Sequence, residues 1–199
     1  MLTKLKARIQ QLLSDEARLA HRMGLTPNAI SCIGMVLALL SAIAYWKSSS
    51  SMPLLVMAAI LLLLSGFCDA LDGVLARSYE EVTIFGGFID SLLDRYADSI
   101  VLGGVVLGGF SDVSWGIATI IGTLLVSYAR ARAEAAGVKM ESIGLAERPE
   151  RIIILALASL VTLAWFPALK WSIILLAILT NLTVLQRVIY FYRSLKKKL

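Results

Sequence analysis

Between residues 29 and 46 the chain carries no charged side chain, and five more predominantly apolar stretches follow, at 52–68, 85–110, 113–129, 152–166 and 171–185. In hydrocarbon every backbone N–H and C=O has to be satisfied internally, so stretches of this kind fold as helices. Each crossing takes about 20 residues, so six crossings use about 120 and leave only short connections and two ends. With 58% hydrophobic and 17% charged residues among 199, the composition excludes both a soluble globule and a disordered chain. The expected fold is an all-α integral membrane protein with six transmembrane helices, forming a single membrane domain over residues 1–199.

The polar opening has its own pattern. Residues 3–20 set Leu5, Ile9, Leu12, Leu13 and Leu19 at helical spacing among Lys4, Lys6, Arg8 and Arg18. This predicts an amphipathic helix lying in the membrane interface within residues 1–25, ahead of a six-helix bundle over 26–199. Gly24 stops it, and Thr26-Pro27-Asn28 supplies a cap and a proline start for the next helix. No cleavable signal is expected, because the first apolar stretch begins only at Ala29. His21, the sole histidine, is expected at the surface. Cys32 and Cys68 read as small buried apolar residues, with no disulfide or metal spacing.

Lys and Arg orient the bundle. With six crossings, all but Lys47 and Lys170 of the 19 basic residues fall on the side that holds both termini. The positive-inside rule makes that side cytoplasmic, in a cell membrane. The net charge of +5 then belongs to a membrane surface, and no motif for nucleic acid is present.

Carboxylates inside membrane helices are costly and usually mark function. Asp69 and Asp72 are three residues apart, and Asp90, Asp94 and Asp98 follow at intervals of four. Each group therefore lies on one helix face. Converging carboxylates repel one another unless cations bind, and Mg2+ or Mn2+ are the hard ions that suit phosphate substrates. Gly73 and Gly86 leave backbone open nearby, and Arg77 stands one turn beyond Gly73, placed to clamp a phosphate. Together these features point to a diphosphate nucleotide.

The run Asp69-x2-Asp72-Gly73-x2-Ala76-Arg77-x8-Gly86-x3-Asp90-x3-Asp94 resembles the complete signature of the CDP-alcohol phosphatidyltransferases. The six-span layout with an interfacial helix is similar to that family over the whole chain. The resemblance implies displacement of CMP from a CDP-lipid, CDP-diacylglycerol or CDP-archaeol, by an alcohol. It implies two divalent cations on Asp69, Asp72, Asp90 and Asp94, with Asp94 also the base that takes the acceptor proton. It further implies CDP contacts from Asn28, Asp69, Gly73, Ala76, Arg77 and Thr83, and a homodimer.

The second half bears on the acceptor. The segments Ser127 to Ala135 and Gly144 to Arg151, with Gln186-Arg187, resemble phosphatidylinositol-phosphate synthases and their archaeal ether-lipid counterparts. Their acceptor is inositol 1-phosphate, which implies a phosphate pocket of Arg130, Arg148, Arg151 and Arg187. One departure is Arg130, where the subgroup often carries Lys. Independently of the resemblance, arginines gathered at cytoplasmic helix ends favour an anionic acceptor. Glycerol 3-phosphate is the alternative acceptor, and a cation transporter or an interfacial scaffold are the readings outside enzymology. A transporter would spread its carboxylates along a pore and often repeat itself, and neither pattern is present. A scaffold would give no reason for the Asp, Gly and Arg spacing.

Overall fold

The computed structural model describes residues 13–48, 51–140 and 143–196. Among these are seven helices and no strand: α1 (Ser14–Arg22), α2 (Pro27–Lys47), α3 (Met52–Ser78), α4 (Ile84–Leu107), α5 (Val113–Ala135), α6 (Arg148–Val161) and α7 (Ala168–Lys196). Of the expected interfacial helix, residues 3–12 lie outside the described residues, and the rest is α1. Gly24 ends it with φ +75. Thr26 then caps α2 by accepting the Ala29 N–H at 3.3 Å, with Pro27 opening the helix.

Four helices, α2, α3, α5 and α7, are long and apolar enough to cross a membrane, which makes the chain a multi-pass membrane protein. The expected count was six. The other two fall short for separate reasons: α4 carries Asp90, Asp94, Arg95 and Asp98, and α6 has only 14 residues, about 21 Å of helix. Helix boundaries also differ from the apolar stretches. The 27 residues of α3 run about 40 Å without a break, so the helix outlasts a 30 Å hydrocarbon core and carries Asp69 and Asp72 in its final turns.

Side-chain size is sorted as lipid solvent requires. Small residues, including Ala38, Ala42, Ala58 and Ser41, are buried between helices, while Ile33, Val36, Leu39, Leu40 and Ile43 face outward from α2. Cys32 shares that outward face, contrary to the expected burial, and Cys68 is half-buried. Where lipid is the solvent, a thiol gains little from a buried position. Gly104 and Gly108 of α4 lie directly on the α2 backbone: a Cβ at either would collide with the carbonyl of Ala42 or Tyr45. Buried hydroxyls tie the helices further. Ser41 donates to Ala58 O at 2.8 Å, Ser65 to Gly34 O at 2.8 Å, and Thr119 to Ile173 O at 3.0 Å. Helix α2 packs mainly on α3 and α4, α5 packs on α7, and α6 bridges α3 and α7.

Two ends result. The Lys170 ammonium meets Asp112 at 2.9 Å and the rings of Phe110 and Phe166 are 6.2 Å apart, so the α4–α5 and α6–α7 connections share one end. The approach of Gly108 to Tyr45 brings the end of α2 there as well. All the aspartates of the signature gather at the opposite end. There α1 packs on α3 through Ala17, Ala20, Leu71 and Leu75, and the His21 ring stacks on Tyr79 with centroids 3.7 Å apart. His21 is exposed as expected, though it is held in place.

Candidate active site

The last turns of α3 and the first half of α4 face each other. One carboxylate oxygen from each of Asp69, Asp72 and Asp90 lies within 4.8 Å of the others. Asp72 is buried, 5% exposed, and accepts a hydrogen bond from Ser31 Oγ at 2.5 Å. Ser31 lies on α2, forty-one residues away in sequence, and no local spacing marks it. Three hard oxygen ligands from two rigid helices fit a divalent cation, whose opposed ligands stand about 4 Å apart for Mg2+.

Of the four carboxylates expected to gather, Asp94 alone is outside the group of three, though it lines the same crevice, where Arg148 bridges it to Asp69. The Arg148 Nη1 lies 2.6 Å from Asp69 Oδ1 and 2.6 Å from Asp94 Oδ1, and Nε lies 3.4 Å from Asp98 Oδ1. Both Nη1 contacts are ion pairs at hydrogen-bonding distance.

A cavity of about 300 Å³ opens beside the carboxylates, between α2, α3 and α4. Asn28, Gly73, Ala76, Arg77 and Thr83 all line it, together with Asp72, Glu81, Gly86 and Asp90. Asp69, expected among the nucleotide contacts, lines the adjoining crevice instead. The two glycines make room for protein side chains as well. A Cβ on Gly73 would come within 3.2 Å of the Arg77 guanidinium, and one on Gly86 within 3.1 Å of Asn28 Oδ1. Thr83 caps α4 by accepting the Gly86 N–H at 2.9 Å, which fixes the turn between the helices.

A second cavity, about 260 Å³, lies on the other side of Asp94, and Arg130, Arg148, Arg151 and Arg187 all reach it. Each of the four already has a carboxylate partner. Arg130 pairs with Glu134 at 2.9 Å. The Arg151 Nη2 meets Asp98 at 2.5 Å, and Nη1 donates to Ala146 O at 3.1 Å. Arg187 is 2% exposed, donates to the Ile143 and Val126 carbonyls, and stands 3.7 Å from Glu147. Glu147, within the segment Gly144 to Arg151, and Asp98 have no role assigned in the sequence reading. The four-residue interval from Asp94 was the signal for Asp98.

The sequence profile of the CDP-alcohol phosphatidyltransferase family matches residues 24–185, a span containing all of these side chains except Arg187. The chain belongs to that family. It is 41% identical over 190 residues to an archaetidylinositol phosphate synthase of Pyrococcus horikoshii, covering 94% of this chain and 95% of the relative. The Mycobacterium tuberculosis phosphatidylinositol phosphate synthase with CDP-DAG bound superposes with TM-score 0.79 at 28% identity, over 92% of this chain and 94% of that one. The same enzyme in complex with manganese and citrate gives TM-score 0.78 at 28% identity, over 90% of this chain and 88% of the other. A CDP-alcohol phosphatidyltransferase thus presents here a carboxylate group suited to a divalent metal, flanked by two polar cavities.

Proposed function

We propose that this enzyme transfers the phosphatidyl-type phosphate of a CDP-lipid, CDP-diacylglycerol or CDP-archaeol, to a hydroxyl of inositol 1-phosphate. CMP leaves, and a phosphatidylinositol-phosphate or archaetidylinositol-phosphate lipid forms. The observation that carries this reading is the position of Asp94, which lines both the cavity reached by four arginines and the carboxylate crevice, whose Asp72 and Asp90 also line the cavity of the nucleotide-type residues. The relatives named as inositol phosphate lipid synthases point to the same acceptor.

Asn28, Gly73, Ala76, Arg77 and Thr83 hold the CDP moiety, with the Arg77 guanidinium on the diphosphate. Arg130, Arg148, Arg151 and Arg187 take the acceptor phosphate. Asp94 accepts the proton of the attacking hydroxyl, whose oxygen forms a new P–O bond to the lipid-bearing phosphorus as the bond to CMP breaks. Asp69, Asp72, Asp90 and Asp94 would hold two divalent ions, Mg2+ or Mn2+, which supply charge stabilisation to the attacking and leaving oxygens.

The reading includes six crossings, both termini and the active site cytoplasmic, and one membrane domain. The shared end of the three connections supports it, since α4 and α6 each run from the carboxylate end to that end. A homodimer is part of the same reading. Gly104 and Gly108 are used inside the chain, so another lipid-facing surface would form it.

The test is CMP release by purified protein in liposomes with each CDP-lipid, Mg2+ or Mn2+, and inositol 1-phosphate, glycerol 3-phosphate, inositol or serine. Turnover with inositol 1-phosphate alone is expected. Turnover with glycerol 3-phosphate instead overturns the acceptor but keeps the family chemistry.

A further inference from the structure

Arg148 stands in two places at once. It lines the crevice with Asp69, Asp72, Asp90 and Asp94, and it also lines the basic cavity with Arg151 and Arg187. On the crevice side its Nη1 touches Asp69 Oδ1 and Asp94 Oδ1 at 2.6 Å each. On the other side Nε donates to Asp98 Oδ1 at 3.4 Å. Asp69 is thereby shared, a member of the group of three carboxylates and a partner of Arg148.

We propose that the Arg148 guanidinium and a divalent cation compete for these oxygens, so that ion binding releases Arg148 toward the acceptor cavity and makes acceptor binding follow ion loading. The inference rests on the reading of the aspartates as ion ligands. A cation bonded to Asp69 at about 2.1 Å would lie within a few ångströms of Nη1, where two positive charges repel strongly at low dielectric. Nη1 is the part of the side chain that meets both Asp69 and Asp94, while Nε reaches Asp98 alone. Asp98 provides the pivot: the Nε hydrogen bond can persist while the guanidinium turns away from Asp69 and Asp94. Arg148 is the first residue of α6, after Glu147 in extended conformation, so its side chain can turn without disturbing the helix. The phosphate of an acceptor would reward that turn with a charge-assisted hydrogen bond.

Binding of Mn2+ to full-length protein in detergent, read as free Mn2+ by electron paramagnetic resonance, tests this for the native chain and Arg148→Gln. The variant is expected to bind Mn2+ at least tenfold more tightly at the weaker site. In the native chain, inositol 1-phosphate is expected to tighten Mn2+ binding, with the reciprocal effect of Mn2+ on the phosphate; Arg148→Gln should lose this coupling. Equal or weaker Mn2+ affinity in the variant overturns the exchange while leaving the metal reading intact. If neither protein binds Mn2+, both fall. Absence of coupling in the native chain also overturns the exchange and requires no folded variant.

Discussion

Asp98 receives two guanidinium groups, Arg148 through Nε and Arg151 through Nη2, while itself only 12% exposed. Arg151 is therefore a structural partner as well as a proposed phosphate ligand. Breaking a buried pair by deleting one member commonly costs about 3–5 kcal/mol, because the other charge remains. Arg151→Gln is expected to lower thermal stability in detergent and to raise KM for the phosphorylated acceptor far more than for CDP-lipid. Unchanged stability would show that Arg148 alone satisfies Asp98. Asp94→Asn should abolish turnover while CDP-lipid still binds, checked by a binding assay beside the CMP assay; retained turnover would remove the base role. Arg77→Ala should raise KM for CDP-lipid, and an unchanged value would count against the clamp. The aspartates were readable from spacing alone, since intervals of three and four put them on single helix faces. Ser31 was not readable, because its bond to Asp72 joins two helices and leaves no local pattern.

At the scale of elements, the α2–α4 contact holds the site in register. Gly104 sits against the Ala42 carbonyl, so even one added carbon has to push the backbones apart. Gly104→Leu is expected to destabilise the bundle by several kcal/mol, by analogy with severe overpacking. The same change at Gly103, where a Cβ meets nothing within 4 Å, should be close to neutral. Comparable losses at both positions, measured by thermal unfolding in detergent, would show that the contact does not matter. Helix α4 is absent from the four apolar helices because its first half carries Asp90, Asp94, Arg95 and Asp98, and α6 because it has only 14 residues.

For the whole molecule, the crossing count decides which connections share a side of the membrane. In a chain carrying C32S and C68S, a cysteine replacing Asp112 is expected to react with an impermeant maleimide from outside intact cells, and one replacing Lys139 only after lysis. The reverse pattern would mean either that α4 does not cross or that the bundle is inverted in the membrane. The sequence by itself determined the membrane class, the carboxylate faces and the family, because these depend on composition and spacing along single helices. Only the tertiary structure decided that Arg148 bridges Asp94 to Asp69, and that every arginine proposed for the acceptor already has a carboxylate partner. Those are pairings between helices distant in sequence, set by how small residues let backbones approach, and no periodicity along one helix encodes them.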